Sequence, residues 1–205
     1  MITVVDYDAG NIGSVVNICK KAGGSVRVAR NPAEIARAHK LILPGVGHFG
    51  RAIERLQQKG LVSALNEAVL QRKVPILGIC LGMQLLTQHS EEGDVAGLGW
   101  VAGRTLRFRL SEECGLRVPH MGWNRVEIAH EGVLTQSLPE NPRFYFVHSY
   151  HVRCDLDEDV LMRTTHGETF VSAVHKDNIW GTQFHPEKSH KYGLAMIRNF
   201  IERVQ

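Results

Sequence analysis

The chain has 205 residues, 43% of them hydrophobic and 22% charged, enough for one well-buried domain and too few for two comfortable ones. Its net charge of +3 is small and no run of Lys and Arg forms a nucleic-acid footprint, so a nucleic-acid partner is not expected. No apolar window approaches the ~20 residues of a membrane span. The N-terminus goes straight into a strand-like run without a signal peptide, so no membrane association is expected. The four cysteines, Cys19, Cys80, Cys114 and Cys154, lack C-x-x-C spacing, which argues against a zinc site or a disulfide framework and for a reduced, cytoplasmic protein.

The first half alternates strand and helix signals. Ile2 to Asp6 is a short apolar run, and Asn11 to Ala22 has helical spacing through Ile12, Val15, Val16 and Cys19 before stopping at Gly23-Gly24. Ser25 to Ala29 is strand-like again. Asn31 and Pro32 read as N-cap and first residue of a helix ending near Ala38. Leu41 to Leu43 is an apolar strand that ends in the turn Pro44-Gly45-Val46-Gly47. A helical region follows from Arg51 to Gln71, broken at Gly60. Val74 to Ile79 is a wholly apolar strand feeding a helix expected over Leu81 to His89. This order predicts a parallel sheet with helices on both faces. From Gly97 to about Asn178, short alternating runs such as Arg143 to Val147 and Phe170 to Val174 predict an antiparallel extension. Lys191 to Val204 predicts an amphipathic helix with Leu194, Ile197 and Ile201 on one face. The expectation is one α/β domain over residues 1–205.

Cys80 stands where the buried strand meets the helix, with Gly78 and Gly82 two residues to either side. This is the cysteine form of a nucleophile elbow, a turn so sharp that side chains at the flanking positions clash. It lifts the thiol above the C-terminal edge of the sheet, where open α/β folds bind ligands. It also sets the sulfur at a helix N-terminus, which favours thiolate, and aims the Leu81 N–H at a developing oxyanion. A buried structural cysteine needs no such glycines, which weaken a strand.

A thiolate attacking a carboxamide needs a group that protonates the departing ammonia and later activates water, and a histidine oriented by a carboxylate does both. His185-Pro186-Glu187 supplies such a pair. Pro186 is expected to hold the chain extended so that both side chains project to one side, delivered by a strand over Ile179 to Phe184. Among the 11 histidines, His89, His130, His166, His175 and His190 read as ordinary surface or hydrogen-bonded residues. No H-x-x-x-H or Cys/His cluster has metal-ligand spacing, so no metal is expected.

Gly78-Ile79-Cys80-Leu81-Gly82-Met83-Gln84, together with His185-Pro186-Glu187, resembles the class I (triad) glutamine amidotransferase family over nearly the whole chain. The resemblance implies a flavodoxin-like α/β fold and hydrolysis of L-glutamine through a γ-glutamyl thioester on Cys80. It implies that Gln84 and Glu92, with His148 and Ser149, bind glutamine. It also implies that the Gly45-Val46-Gly47 loop joins Leu81 in an oxyanion hole, a loop whose rearrangement would act as an on/off switch.

Pro119 to Asn124, Phe146 to Tyr150, His185 to Ser189, and Asp6-Tyr7 before Gly10-Asn11 are similar to the glutaminase subunits of imidazole glycerol phosphate synthase. The resemblance implies a heterodimer with a HisF-type (β/α)8-barrel cyclase, into which ammonia passes without meeting bulk water. It implies that Asn11, Trp123, Tyr145 and Lys188 lie on the partner-facing surface, and it implies no cofactor. The Gly122-Trp123 pair in a polar segment suggests a loop presenting a large aromatic, and an interface role is preferred over a core plug because Trp is enriched at binding hot spots.

Asp8 departs from the subfamily pattern, which has Gly there, and would alter the nearby loop and add a charge. Gly97 to Trp100 and Ser189 to Gly193 are similar instead to paralogues that supply ammonia to sugar amidotransferases of surface-polysaccharide (O-antigen) synthesis, so the acceptor stays open. A Cys-dependent hydrolase of another kind is disfavoured by Gln84, Glu187 and Trp123. A regulatory module with a decayed site is disfavoured by the intact Cys80, His185 and Glu187.

Overall fold

The computed structural model describes residues 1–204, apart from the side chain of Glu112. In chain order the elements are β1 (Ile2–Val5), α1 (Ile12–Lys21), β2 (Val26–Ala29), α2 (Pro32–Ala36), β3 (Leu41–Gly45), α3 (Phe49–Gln58) and α4 (Leu61–Asn66), which runs on as a π turn to Gln71. There follow β4 (Ile76–Cys80), α5 (Leu81–Gln84), β5 (Thr87–Ser90), β6 (Val95–Ala96), β7 (Val101–Arg107), β8 (His120–Arg125) and β9 (Glu127–Ile128). The last are β10 (Arg143–His148), β11 (Tyr150–Cys154), β12 (Val160–His166), β13 (Glu168–Lys176), β14 (Ile179–Thr182) and α6 (His190–Glu202).

The main sheet runs β2-β1-β3-β4-β14-β13-β11-β7-β5-β6. Its first five strands are parallel, and with β14 taken as the fifth they repeat the flavodoxin-like order 2-1-3-4-5. From β13 outward the pairing is antiparallel through β11 and β7. Of the parallel strands, β1, β3, β4 and β14 are buried on both faces while the edge strand β2 is half-buried, and alternate residues feed different cores. Val4, Ile42, Leu77 and Ile79 pack with Val15 of α1 and Met196 and Phe200 of α6. Val5, Leu41, Leu43 and Ile76 pack with Ile35, Phe49 and Leu56 from the opposite helices. That is the period-2 alternation of a strand used twice.

Local signals set the helix starts. Asn11 Oδ1 accepts from the Ser14 N–H at 3.3 Å, Asn31 Oδ1 accepts from the Glu34 N–H at 3.0 Å, and Pro32 fills the first helical position. No helix among the described residues is long and apolar enough to cross a membrane.

Three expectations need correction. The helix after Cys80 is one turn, Leu81–Gln84, and the chain then enters β5, where Thr87 pairs in parallel with Val101. The Thr87 hydroxyl donates to the Gln84 carbonyl at 2.8 Å, ending the helix, and the β7 ladder claims the residues that follow. Trp123 lies in a strand, not a loop, paired with Tyr145 in the two-stranded β8–β10 ribbon. Pro186 does not hold the chain extended but opens a 3-10 turn over Pro186–Lys188. In α6 the expected face does pack inward, with Ile197 buried and Leu194 and Ile201 half-buried against the same core, and Tyr192, Met196 and Phe200 complete it.

Candidate active site

The elbow is set by close approach of backbone. A Cβ on Gly82 would run into the carbonyl oxygen of Leu43, and one on Gly78 would sit 2.7 Å from the Gly82 oxygen. Only glycine lets strand and helix close to this distance. Cys80 itself takes φ 55° and ψ −111°, a strained backbone for a non-glycine residue of the sort that concentrates at functional sites. Its neighbours across the sheet are Gly45 on β3 and, one residue beyond the Ile79–Thr182 pair, Gln183 after β14.

His185 is buried, and its Nδ1–H donates to Glu187 Oε1 at 2.7 Å. The turn that replaces the expected extended segment makes this possible, because it folds Glu187 back under the ring. Ser189 ties the turn to the ribbon: its hydroxyl donates to the His185 carbonyl at 2.6 Å and accepts from the Tyr145 N–H at 3.0 Å. Burial alone would lower the basicity of His185. Interaction with the nearby Cys80 and with Glu187 overcomes it and carries the imidazole up to about 10. Among the described residues, His185 Nε2 and Glu187 Oε2, both buried, have no partner in hydrogen-bonding geometry. Thiol and imidazole therefore stand close but not aligned, as resting catalytic pairs often do.

These groups open into a cavity of about 340 Å³, at the small end of ligand sites. Val46, Gly47, Leu81 and Gln84 line it beside Cys80 and His185, and Glu92, His148 and Ser149 line the remainder. Gly45 stands behind this wall, paired with Cys80. Glu92 Oε2 accepts from the Phe49 N–H at 2.8 Å, which pins the carboxylate at the rim. Both N–H bonds of Gln84 are used within the protein, on the Tyr150 carbonyl at 2.9 Å and on Gln183 Oε1 at 3.0 Å, leaving its oxygen for a ligand.

A larger groove of about 580 Å³ opens on the antiparallel extension among Arg104, Arg153 and Arg163. Its cysteine, Cys154, is an unreactive thiol, pushed up to about 12 by burial and then by Asp159. The candidate nucleophile Cys80 and His185 line the smaller cavity.

Trp123 is 44% exposed and is not a core plug. Its ring lies 5.4 Å from that of His190 and 6.4 Å from that of Tyr145, and Lys188 Nζ lies 5.6 Å over the Tyr145 ring. Asn11 is exposed at the start of α1, the helix that packs on the 186–188 turn. Asp8 takes the left-handed φ of 63° that a glycine there would take. Its carboxylate is held by Lys59 at 2.8 Å and lies below the usual range because of that hydrogen bond, so the added charge is neutralised.

Two features escaped the sequence. Gln183 is fully buried with Nε2 3.7 Å from Cys80 Sγ. Behind the cavity, His148 Nδ1–H donates to the Tyr150 carbonyl at 2.8 Å, His120 Nδ1–H donates to His148 Nε2 at 3.1 Å, and Asn124 donates to His120 Nε2 at 3.2 Å. Only neutral rings satisfy this chain. Burial holds His148 well below the ordinary histidine value and lowers His120 to about 4.

The family model described as glutamine amidotransferase class-I matches residues 3–204. The chain belongs to the class I glutamine amidotransferases. Relatives of this amidotransferase include the imidazole glycerol phosphate synthase subunit HisH 2 of Methanococcus maripaludis, 49% identical over 100% of both chains. The subunit of the same name from Pseudomonas aeruginosa is 44% identical over 100% of both. The subunit HisH 1 of Campylobacter jejuni is 46% identical over 98% of this chain and 99% of its own. Among solved structures, PurLQS from Thermotoga maritima shares the fold with a TM-score of 0.78 at 17% identity, covering 100% of this chain and 98% of that one.

Proposed function

We propose that this amidotransferase, as a single domain, is the glutaminase subunit of an imidazole glycerol phosphate synthase in histidine biosynthesis. It acts in the cytoplasm and delivers ammonia to a HisF-type (β/α)8-barrel cyclase in a heterodimer. The observation that carries the chemistry is Cys80 on a strained elbow, opening with the buried His185–Glu187 pair into one cavity. The near-identical length and 41–49% identity of subunits bearing the HisH name support the acceptor.

Cys80 Sγ attacks the side-chain carbonyl carbon of glutamine. Negative charge gathers on the carbonyl oxygen, where the Leu81 N–H and the Gly45-Val46-Gly47 backbone provide the oxyanion hole. His185, protonated and held by Glu187, gives its proton to the departing ammonia, leaving a γ-glutamyl thioester. His185 then takes a proton from water as the water attacks the thioester, releasing glutamate and returning the thiolate. Gln84, Glu92, His148 and Ser149 hold the amino-acid end of the substrate. Asn11, Trp123, Tyr145 and Lys188 form the face toward the cyclase, and Tyr145 and Lys188 stand beside the triad turn, where ammonia would leave.

The test is glutamate release by the purified chain alone and with a HisF cyclase and its nucleotide substrate. Strong stimulation by the two together is expected, and Cys80→Ala should abolish release while leaving the complex intact. Normal turnover by Cys80→Ala would overturn the catalytic assignment. Labelling of Cys80 by a glutamine analogue without stimulation would keep the glutaminase and move its ammonia to another acceptor, such as the sugar-derived one used by the paralogues.

A further inference from the structure

Cys80 has a neighbour that the triad does not use. Thr182 on β14 is level with Ile79 on β4, so the next residue, Gln183, comes level with Cys80 itself. Its side chain is wholly buried and its Nε2 reaches Cys80 Sγ at 3.7 Å.

The orientation of this amide is fixed by its other contact. Gln84 Nε2 donates to the Tyr150 carbonyl at 2.9 Å, a backbone acceptor that cannot turn over, and the same NH2 donates to Gln183 Oε1 at 3.0 Å. Reversing Gln84 would set its oxygen against the Tyr150 oxygen. Reversing Gln183 would leave two NH2 groups face to face. Either change discards hydrogen bonds in a buried site, so Gln183 presents N–H to the sulfur. An amide N–H can only donate, and a thiolate accepts far more strongly than a thiol. Helix α5 is a single turn, so little helix dipole stands behind the sulfur, and a side-chain donor carries correspondingly more of the charge.

We propose that Gln183 is a further catalytic residue of the glutaminase, donating its Nε2–H to the Cys80 thiolate before attack and again as sulfur leaves the thioester, with Gln84 locking the amide in place. The proposal rests on Cys80 being the nucleophile. Gln183 keeps its proton throughout. The S–C bond forms and breaks beside it, while the protons lost and gained by ammonia and water pass through His185. As the thioester forms, sulfur loses its charge and the hydrogen bond weakens, so the donor favours the two states in which sulfur is anionic.

The experiment is the pH dependence of Cys80 alkylation by iodoacetamide in the isolated chain, followed on the Cys80 peptide by mass spectrometry because Cys114 is exposed and will react as well. Gln183→Met keeps the side-chain length, removes the donor and leaves Gln84 its bond to Tyr150. Loss of one hydrogen bond to a charged group is expected to move the profile about one unit to higher pH, a tenfold change. The plateau rate should rise about threefold, because a less stabilised thiolate is more nucleophilic. A residue that only packs would lower stability without this paired signature, and an unmoved profile in a folded variant overturns the proposal. Should Gln183→Met fail to fold, the wild-type side-chain amide decides. Its NMR signal should follow the same pH profile as Cys80 alkylation, and a flat signal overturns the proposal. Alkylation needs neither glutamine nor a partner, so this result and the Cys80→Ala turnover test can fail separately.

Discussion

Glu187→Gln separates the charge of the triad from its geometry. Glu187 Oε1 accepts the His185 Nδ1–H at 2.7 Å, while Oε2 has no partner among the described residues. In the variant the amide nitrogen can take the place of Oε2 and the amide oxygen the place of Oε1, so the ring stays where it is and only the charge goes. A hydrogen bond to a charged group is worth ~1.5–3 kcal/mol and one between neutral groups ~0.5–1.5. The difference, about 1–2 kcal/mol, corresponds to roughly one pH unit off the His185 titration, which stands at about 10 in the wild type. The sign follows from a folded-state value raised above the ordinary one. The stability that His185 contributes is fully present below about pH 6.5 and is lost as pH rises through its folded value. Wild type should therefore exceed the variant by about 1–2 kcal/mol in urea unfolding at pH 6, and the gap should narrow toward pH 10. Glutamate release should fall about tenfold, because the imidazolium that forms as His185 takes the proton of the attacking water loses that same ~1–2 kcal/mol of stabilisation. A stability gap that widens with pH would refute the reasoning.

Gly82→Ala places a methyl group against the Leu43 carbonyl. It should cost about 3 kcal/mol or more, read as a lower thermal midpoint together with loss of Cys80 labelling by a glutamine analogue. Trp123→Ala removes a side chain that is 44% exposed. It should leave the thermal midpoint unchanged and weaken cyclase binding by about 2 kcal/mol, roughly thirtyfold, in calorimetric titration.

The parallel half of the sheet was legible because its strands are apolar on both faces and its helices carry their own starts, Asn11 for α1 and Asn31-Pro32 for α2. Cys80, His185 and Glu187 were legible as short motifs. What the sequence hid depends on partners distant along the chain. Leu81, Leu85 and Leu86 are all buried and fit a helix, but Thr87 is claimed by β7, and no local preference outweighs that pairing. Trp123 and Met121 share the exposed face of the β8–β10 ribbon, so apolar side chains stand where a strand pattern expects polar ones. Gln183 looks like one more polar residue before His185 until the β4–β14 register sets it beside the sulfur.

That register also divides the nucleophile's surroundings into a fixed side and a free one. On the β14 side Gln183 is wholly buried, and its amide is locked through Gln84 to the backbone of Tyr150. On the β3 side the chain leaves Gly45 for Val46, which is 45% exposed, and Gly47, which has open space where a Cβ would point. On the proposed assignment, a partner that activates this enzyme therefore has purchase on the 45–47 loop, which would supply the oxyanion hole, and little on the thiolate. Alkylation of Cys80 passes through no oxyanion, whereas glutamine hydrolysis needs one, with each donor worth about 10²–10³ in rate. Adding the cyclase with its nucleotide substrate should then raise glutamate release by about two orders of magnitude while the pH profile of Cys80 alkylation stays in place. If the profile moved together with turnover, the partner would be acting through the sulfur's own donors, and the division into a fixed and a movable side would be wrong.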